Sequence, residues 1–309
     1  MKLKFGIIVL CLFLVGCSNS KPTISPLTVT PEKRAFTDDL GRTVSVPTEI
    51  KRIVSLAPSA TEMVYAVGAG DRLVGVTTFC NYPEQALEVA KVGDTMTPNM
   101  ETIVALKPDV VLVSTASQIE NFTKTLEQNG IAVYVMNPTH TADVLKSIKS
   151  IGDILGTVAS ANRVADELER RQAAIRSALG GMPESGPMQF DDGRIRLFVQ
   201  ISREPLFTIG KGSFLSQVVA AAGGISVTAD VPTAYPKISK ETALSLRPNA
   251  IILSDSEDNR EPNEVFANSP AVKNGRVLRV NADILSRPGP RLIDAMEQIA
   301  RFLHPDKFR

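Results

Sequence analysis

Histidine is scarce in this chain of 309 residues, and the scarcity excludes several kinds of active site. Only His140 and His304 occur. A Ser-His-Asp triad needs a histidine beside its nucleophile, and a catalytic zinc site often needs three histidines, so neither can be assembled. We therefore expect a protein that is not an enzyme, with no catalytic residue, no metal site and no cofactor of its own.

An excess of one charge and a pair of cysteines for a disulfide are also missing. The formal net charge is +1, so the chain offers no basic surface for a nucleic acid. Of the three cysteines, Cys11 and Cys17 lie in the N-terminal segment, which leaves Cys80 without a partner. Cys80 is expected to be a small buried side chain, the alternative being a thiol that contacts a ligand.

Long apolar segments are absent too. Residues 5–15 are apolar and follow Lys2 and Lys4, but they are fewer than the roughly 20 residues that a membrane-spanning helix needs. Together with the Leu14-Val15-Gly16-Cys17 sequence they resemble the signal peptide and lipobox of a bacterial lipoprotein. We expect a signal peptide over 1–16 and lipidation of Cys17, the alternative being a signal peptide without lipid. The protein would then be extracytoplasmic, anchored to the cell membrane, or periplasmic in a bacterium with two membranes.

The rest of the chain alternates short apolar runs with amphipathic segments, which indicates parallel sheets covered by helices. A polar, proline-containing tether over 17–34 precedes an α/β lobe over 35–138, a helical connector over 139–181 and a second lobe over 182–309. Ser59 and Glu62 have the spacing of a capping box at a helix start, and Ser160 could begin the second part of the connector. Strands are predicted at 52–56, 73–76, 110–113, 131–135, 196–201, 250–253 and 276–280.

One helix-turn-strand element occurs twice. Residues 101–113 recur in pattern as residues 241–253, each with a glutamate first and a proline before the apolar strand. The repeat predicts two lobes of one plan. Because ligands of open α/β sheets collect beyond the carboxyl ends of the strands, the cleft between the lobes is the expected site.

Several short motifs occur in a fixed order along the chain. They are Arg52-Ile-Val-Ser-Leu-Ala-Pro-Ser-Ala-Thr-Glu62, Gly68-Ala-Gly70, Cys80-Asn-Tyr-Pro83, Val92-Gly-Asp94, residues 101–113 and Arg287-Pro-Gly-Pro-Arg291. Together they resemble the helical-backbone binding proteins for vitamin B12, ferric siderophores and haem, and the resemblance covers about residues 36–305. It implies an α/β fold of two Rossmann-like lobes joined by a single long backbone α-helix, with the ligand in the cleft, little hinge motion and a monomeric state. It also implies a partner, the permease dimer of an ABC importer.

Within this family the Cys80-Asn-Tyr-Pro83 and Arg287-Pro-Gly-Pro-Arg291 motifs look most like the vitamin B12 branch, so the expected ligand is a corrinoid. The resemblance assigns ring stacking to Phe79, the opposite wall to Tyr235 and polar contacts to Asp283 and Arg287. The chain has no tryptophan, and Thr95 stands where one is expected. The remaining predicted ligand contacts are Ser59, Tyr82, Thr95 and Met96.

Other functions remain open from the sequence. A ferric siderophore or haem could occupy the same scaffold, and a lipoprotein sensor could keep the fold without feeding a transporter. Glu101 and Glu241 would, by the resemblance, each meet an arginine of the permease. The alternative is that they only stabilise the N-terminal ends of their helices, where an acidic side chain is favoured.

Overall fold

A small antiparallel hairpin opens the described part of the chain. The computed structural model describes residues 32–115, 119–180, 182 and 193–309, without the side chains of 119–122. Strands β1 (Lys33–Thr37) and β2 (Thr43–Pro47) pair with each other. The predicted tether reached residue 34, whereas β1 already contains Lys33 and Arg34. The predicted signal peptide and Cys17 lie outside the described residues.

Two four-stranded parallel sheets follow, one in each lobe. Lobe 1 (residues 32–138) has the strand order β4-β3-β5-β6, and lobe 2 (residues 193–309) has the order β10-β9-β7-β8. Numbered along the chain within each lobe, both orders are 2-1-3-4, so the predicted duplication is confirmed by the topology. The strands are β3 (Ile53–Ser55), β4 (Leu73–Val76), β5 (Val110–Ser114), β6 (Ala132–Met136), β7 (Ile195–Gln200), β8 (Gly224–Ser226), β9 (Ala250–Asp255) and β10 (Val277–Asn281).

Helices cover both faces of each sheet, as the alternation of apolar residues requires. They are α1 (Pro58–Ala66), α2 (Met100–Ala105), α3 (Ile119–Gln128), α4 (Thr141–Leu155), α5 (Val158–Leu179), α6 (Phe214–Ala221), α7 (Lys240–Leu246), α8 (Pro270–Lys273), α9 (Ala282–Ser286) and α10 (Leu292–Leu303). In the described residues, no helix combines the length and apolar character needed to cross a membrane.

One apolar core is shared by the two lobes. In lobe 1, Ile53 and Leu112 point to the same cluster as Leu197 and Ile252 of lobe 2. Buried residues of α4, α5 and α10 complete this cluster, and separate clusters fill the outer face of each sheet. Both lobes accordingly belong to one compact unit, Glu32–Arg309.

Helix α5 is the long backbone helix, with 22 residues and a length of about 33 Å. The helical pattern predicted over 141–181 is interrupted, because α4 ends at Leu155 and Gly156 takes the left-handed conformation at φ 70°. The second helix then starts at Val158, so the proposed start at Ser160 is wrong. Gly152 allows the two helices to pack closely, since a Cβ there would lie 2.2 Å from the Cβ of Ala161.

The repeated element adopts matching structures in the two lobes. Helix α2 is capped by the Asn99 side chain and α7 by that of Ser239, each accepting from the amide three residues later. Just beyond the ends of these helices, Lys107 and Arg247 have the left-handed φ values of 47° and 44°. Each turn then leads into the third strand of its sheet.

The predicted capping box at Ser59 and Glu62 is wrong. The N-cap of helix α1 is Ala57, two residues before the proposed cap, and Pro58 opens the first turn, where the missing amide hydrogen of proline costs nothing. Ser59 is therefore inside the helix. Glu62 is not used as a cap and extends instead to the other lobe.

Candidate ligand-binding site

The carboxyl ends of two edge strands, β4 and β10, lead into a polar network that joins the lobes. Glu62 of α1 is buried, with its side chain 2 % exposed, and its Oε1 accepts from Arg287 Nη1 at 3.3 Å. Arg291 donates to the same carboxylate from Nη2 at 2.6 Å and from Nε at 2.9 Å. Six groups take part in these contacts, and we call them together the inter-lobe network: Glu62, the Phe79 carbonyl, Asn81, Asp283, Arg287 and Arg291.

Arg287 makes four hydrogen bonds within this network. Nη1 donates to Glu62 and to Asn81 Oδ1 at 2.8 Å, while Nη2 donates to the Phe79 carbonyl at 3.1 Å and to Asp283 Oδ1 at 2.6 Å. Asn81 Nδ2 in turn donates to Asp283 Oδ2 at 2.8 Å. Two arginines on one buried carboxylate form charge-assisted bonds. These bonds fix the loop of lobe 2 that carries Arg287 and Arg291 against lobe 1.

The loop that carries Arg287 and Arg291 packs directly on lobe 1. A Cβ at Gly289 would lie 3.4 Å from Glu62 Oε2 and 3.6 Å from Ser59. The guanidinium of Arg291 stacks over the Tyr82 ring, 3.8 Å from its centroid, which is a cation–π contact. Lobe 2 is therefore in contact with the segment of lobe 1 that follows β4.

Large apolar side chains are exposed in loops of both lobes. In lobe 1, Phe79 is 56 % exposed, Met96 49 % and Tyr82 45 %; in lobe 2, Tyr235 is 46 % exposed. Exposed aromatic residues are candidates for a binding surface, because such side chains are otherwise mostly buried. They offer flat faces to a ligand of similar shape.

The turn with Thr95 and Met96 is held by Asp94. Its Oδ1 accepts from the amides of Met96 at 2.7 Å and Thr97 at 2.6 Å, and its Oδ2 accepts from the Thr97 hydroxyl at 2.8 Å. Hydrogen bonds from Thr97 and Met96 lower the pKa of Asp94. Because this pKa is depressed, the ionised form of Asp94 stabilises the turn. The turn is therefore most stable above the ordinary carboxyl range, and it weakens as the pH falls through the depressed pKa.

Tyr235 lies in a loop that is fixed at the carboxyl edge of lobe 2. The amides of Thr208, Gly210 and Lys211 donate to the carbonyls of Pro236, Ala234 and Val231, respectively. Although the side chain is partly exposed, desolvation raises the pKa of Tyr235 above its ordinary value, and the neutral hydroxyl can donate a hydrogen bond.

We expect Gly210→Ala to disturb this loop. A Cβ at Gly210 would lie 2.2 Å from the Thr233 carbonyl oxygen, so the loop over 231–236 must move. Stability should fall by about 1–3 kcal/mol in urea denaturation, and the amides of Thr208 and Lys211 should exchange at least about tenfold faster.

Gly212→Ala is the matched control. Gly212 has a positive φ of 77°, but a Cβ there meets no atom within 4 Å. This variant should lose about 1 kcal/mol through backbone strain, with both amides still protected. Equal exchange in the two variants would contradict the packing argument.

The structure brings together some predicted ligand residues and separates others. Asp283, Arg287 and the backbone of Phe79 meet in the inter-lobe network, and Tyr82 joins them through Arg291. Ser59 is buried against the loop of Gly289. Thr95 and Met96, in the turn after Asp94, and Tyr235, in the loop of lobe 2, take no part in the network.

Sequence analysis missed three members of the network: Glu62, Asn81 and Arg291. All three lie in the quoted motifs. The signal available was charge, since one motif carries an isolated glutamate in an otherwise apolar and hydroxyl-rich run and another carries two arginines. That complementarity could have indicated a contact between the motifs.

Glu101 and Glu241 are exposed in the first turns of α2 and α7. The amide of Asn99 donates to Val92, whose own amide donates to Val76 at the carboxyl end of β4. The amide of Ile238 likewise donates to Leu206, which follows β7. Both glutamates thus lie near the carboxyl edges of the two sheets. Hydrogen bonds from its own amide and from Ser239 lower the pKa of Glu241.

The histidines and Cys80 lie outside this arrangement. His140 precedes α4, and His304 is buried with Nε2 2.9 Å from the Gly223 carbonyl. Cys80 is buried, as expected, with Sγ 3.2 Å from the hydroxyls of Thr61 and Thr77. Across the described ranges, no three histidine, cysteine, aspartate or glutamate side chains are grouped so that they could hold a metal ion.

Comparison with known proteins places this architecture among solute-binding proteins. A family model described as a periplasmic binding protein matches residues 53–284. The chain is 32 % identical, over the full length of both, to the uncharacterized ABC transporter substrate-binding lipoprotein YvrC of Bacillus subtilis. It is 32 % identical to a vitamin B12-binding protein of Vibrio cholerae, over 83 % of this chain and 90 % of that protein. The crystal structure of the periplasmic vitamin B12-binding protein of V. cholerae superposes with a TM-score of 0.70 at 31 % identity, covering 84 % of this chain and 99 % of the other.

Proposed function

Since the chain belongs to the periplasmic binding protein family, we propose that it captures a corrinoid such as vitamin B12 between its lobes and delivers it to an ABC importer. Membership of the family makes it a solute-binding protein of the vitamin B12, siderophore and haem class, and not an enzyme. No cofactor is required for this role, and the corrinoid is cargo.

One observation carries the choice of ligand: aromatic side chains are exposed in both lobes, in loops that follow the sheets at their carboxyl edges. Phe79 of lobe 1 and Tyr235 of lobe 2 present large apolar faces, and Met96 adds a flexible one. A corrinoid is a flat macrocycle that fills such a space without a bond from the protein to its metal. The similarity to vitamin B12-binding proteins over more than four-fifths of the chain supports the same choice.

The alternatives call for different donors. Haem iron can be held by histidine or by tyrosine. Neither His140 nor His304 contacts the inter-lobe network or the exposed aromatic residues in the described structure, so haem would depend on Tyr82 or Tyr235, and Arg291 already stacks on the Tyr82 ring. Ferric siderophores carry polar, often anionic chelating groups and call for free cationic donors, whereas Arg287 and Arg291 are paired with Glu62. If the protein were a sensor, it would still bind its ligand, but uptake of that ligand would not depend on it.

Anchoring and partner follow from the same proposal. The full-length similarity to a protein named a lipoprotein supports lipidation at Cys17 and an extracytoplasmic location. The exposed Glu101 and Glu241, near the carboxyl edges of the two sheets, are suited to contact basic residues of a permease dimer. We propose that one monomer docks on that dimer and that no nucleic acid is involved.

Calorimetric titration of the purified protein with cyanocobalamin, haem, a ferric catecholate and a ferric hydroxamate tests the ligand. We expect a submicromolar Kd for cyanocobalamin alone. Phe79→Ala and Tyr235→Ala should each weaken binding about 10- to 100-fold, since each removes an aromatic contact of about 1.5–3 kcal/mol.

Val158→Ala is the control for these two variants. It removes an equally exposed apolar side chain, 46 % exposed, at the start of α5, away from the inter-lobe network. Its Kd should equal that of the unchanged protein. A tight response to haem or to a siderophore, with none to cyanocobalamin, would overturn the corrinoid proposal and leave the family assignment intact.

A further inference from the structure

Arg287 was predicted to contact the ligand, but its geometry assigns it another task. Both terminal nitrogens are engaged by protein acceptors: two carboxylates, one side-chain amide and one backbone carbonyl. Its side chain is only 12 % exposed. To bind a ligand with the same hydrogens, the guanidinium would have to break charge-assisted bonds that are already formed.

Two of these acceptors belong to the lobe 1 segment that presents the aromatic rings. Arg287 holds the Phe79 carbonyl at 3.1 Å and the Asn81 side chain at 2.8 Å. Asn81 is held a second time by Asp283. One residue further on, the Tyr82 ring lies under Arg291. The backbone of residues 79–82 is thus fixed by side chains of lobe 2.

The two arginines are themselves fixed by Glu62. Its carboxylate is buried and receives three bonds, one from Arg287 and two from Arg291. A planar guanidinium that binds a buried carboxylate keeps a defined orientation, which a free surface arginine does not. Glu62 therefore sets where both guanidinium groups lie, and through them it acts on the backbone that carries the Phe79 ring and on the Tyr82 ring itself.

We propose that Glu62, Arg287 and Arg291 are positioning residues that use lobe 2 to fix the Phe79 ring and the Tyr82 ring of lobe 1 before the ligand arrives. Ligand affinity then depends on Arg287 through Phe79 and not through direct contact. Pre-ordering of a binding side chain improves affinity because less conformational freedom is lost on binding. This inference rests on the proposed function for the identity of the ligand, whereas the position of the ring can be measured without one.

The chain has no tryptophan, which supplies the test. Phe79→Trp gives a protein with a single indole at the position in question. Its steady-state anisotropy and its quenching by acrylamide are measured without ligand, in this background and with Arg287→Gln, Arg287→Lys or Glu62→Gln added. Arg279→Gln is the matched control, because Arg279 makes a salt bridge to Asp255 at 3.0 Å on exposed β10, outside the network.

We expect Arg287→Gln and Glu62→Gln to lower the anisotropy of the introduced indole and to raise its quenching constant at least about twofold. Arg287→Lys should have an intermediate effect, and Arg279→Gln should have none. Cyanocobalamin affinity of the Phe79-containing forms should fall about tenfold for Arg287→Gln and for Glu62→Gln. Circular dichroism melts identify any variant that is unfolded. If Glu62→Gln is unfolded, Arg287→Lys, which keeps the charge, still tests whether Arg287 fixes the position of the indole.

Unchanged anisotropy and quenching in folded Arg287→Gln would overturn the proposal. If cyanocobalamin binding is weaker while the indole signal is unchanged, Arg287 contacts the ligand directly. Failure of the unchanged protein to bind cyanocobalamin would overturn the proposed ligand only. The fluorescence result without ligand would still support or overturn the positioning role.

Discussion

Replacing Glu62 with alanine is expected to lower the free energy of unfolding by about 3–5 kcal/mol. The carboxylate is 2 % exposed and pairs with Arg287 and Arg291 across the two lobes. Its removal leaves two partly buried guanidinium groups without their shared acceptor, and such unpaired charge is costly to keep away from water. Urea denaturation of the variant and of the unchanged protein measures the difference.

Glu49→Ala is the control for charge removal alone. Glu49 pairs with Lys51 at 3.1 Å, but its side chain is 76 % exposed, so water replaces the partner. Its loss should change stability by less than about 0.5 kcal/mol. A change below about 1 kcal/mol for Glu62→Ala would show that the inter-lobe network contributes little to holding the fold.

Reversing both proposed docking charges, Glu101→Arg with Glu241→Arg, is expected to abolish uptake while leaving ligand affinity nearly unchanged. The two side chains are exposed and occupy the same position in the repeated element, one in each lobe. Facing a basic partner, each reversal replaces attraction with like-charge repulsion, which costs several kcal/mol at an interface. Corrinoid-dependent growth and calorimetric Kd, measured on the same variant, separate transport from binding.

Glu49→Arg with Glu169→Arg provides the matched double reversal. Both are exposed glutamates; Glu49 precedes β3 at the amino edge of lobe 1, and Glu169 lies on α5. Uptake should persist in this control. If the docking variant loses affinity in solution, or if it still supports full growth, the assignment of these residues to a permease contact is wrong.

Most of the fold could be predicted because it depends on periodicity. All seven predicted strands are present within two residues at each end, since parallel strands that are buried on both faces read as short apolar runs. The repeat over 101–113 and 241–253 indicated two lobes of one plan, which the shared strand order confirms. The hairpin and the three-residue β8 were missed. Strand β2 does alternate the buried Val44 and Val46 with exposed residues, but over only five positions, and β8 is too short to show a period.

The site was less predictable, for a physical reason. Residues such as Phe79 and Tyr235 could be chosen by resemblance and by their position after strands, and the structure exposes both. The partners of Glu62 could not be chosen locally, because the bonds connect residues more than 200 positions apart. A capping box needs only adjacent residues, so local reasoning preferred it over a contact that exists only once both lobes have formed.

The apolar cluster that runs from one sheet through α4 and α5 to the other has a consequence for cargo release. Swinging the lobes far apart would bring that cluster into water at about 25 cal/mol for each Å² uncovered. Spontaneous wide opening is therefore rare, and a captured molecule should have a long dwell time. The work of ejecting it must be done by the importer, acting on the protein from outside.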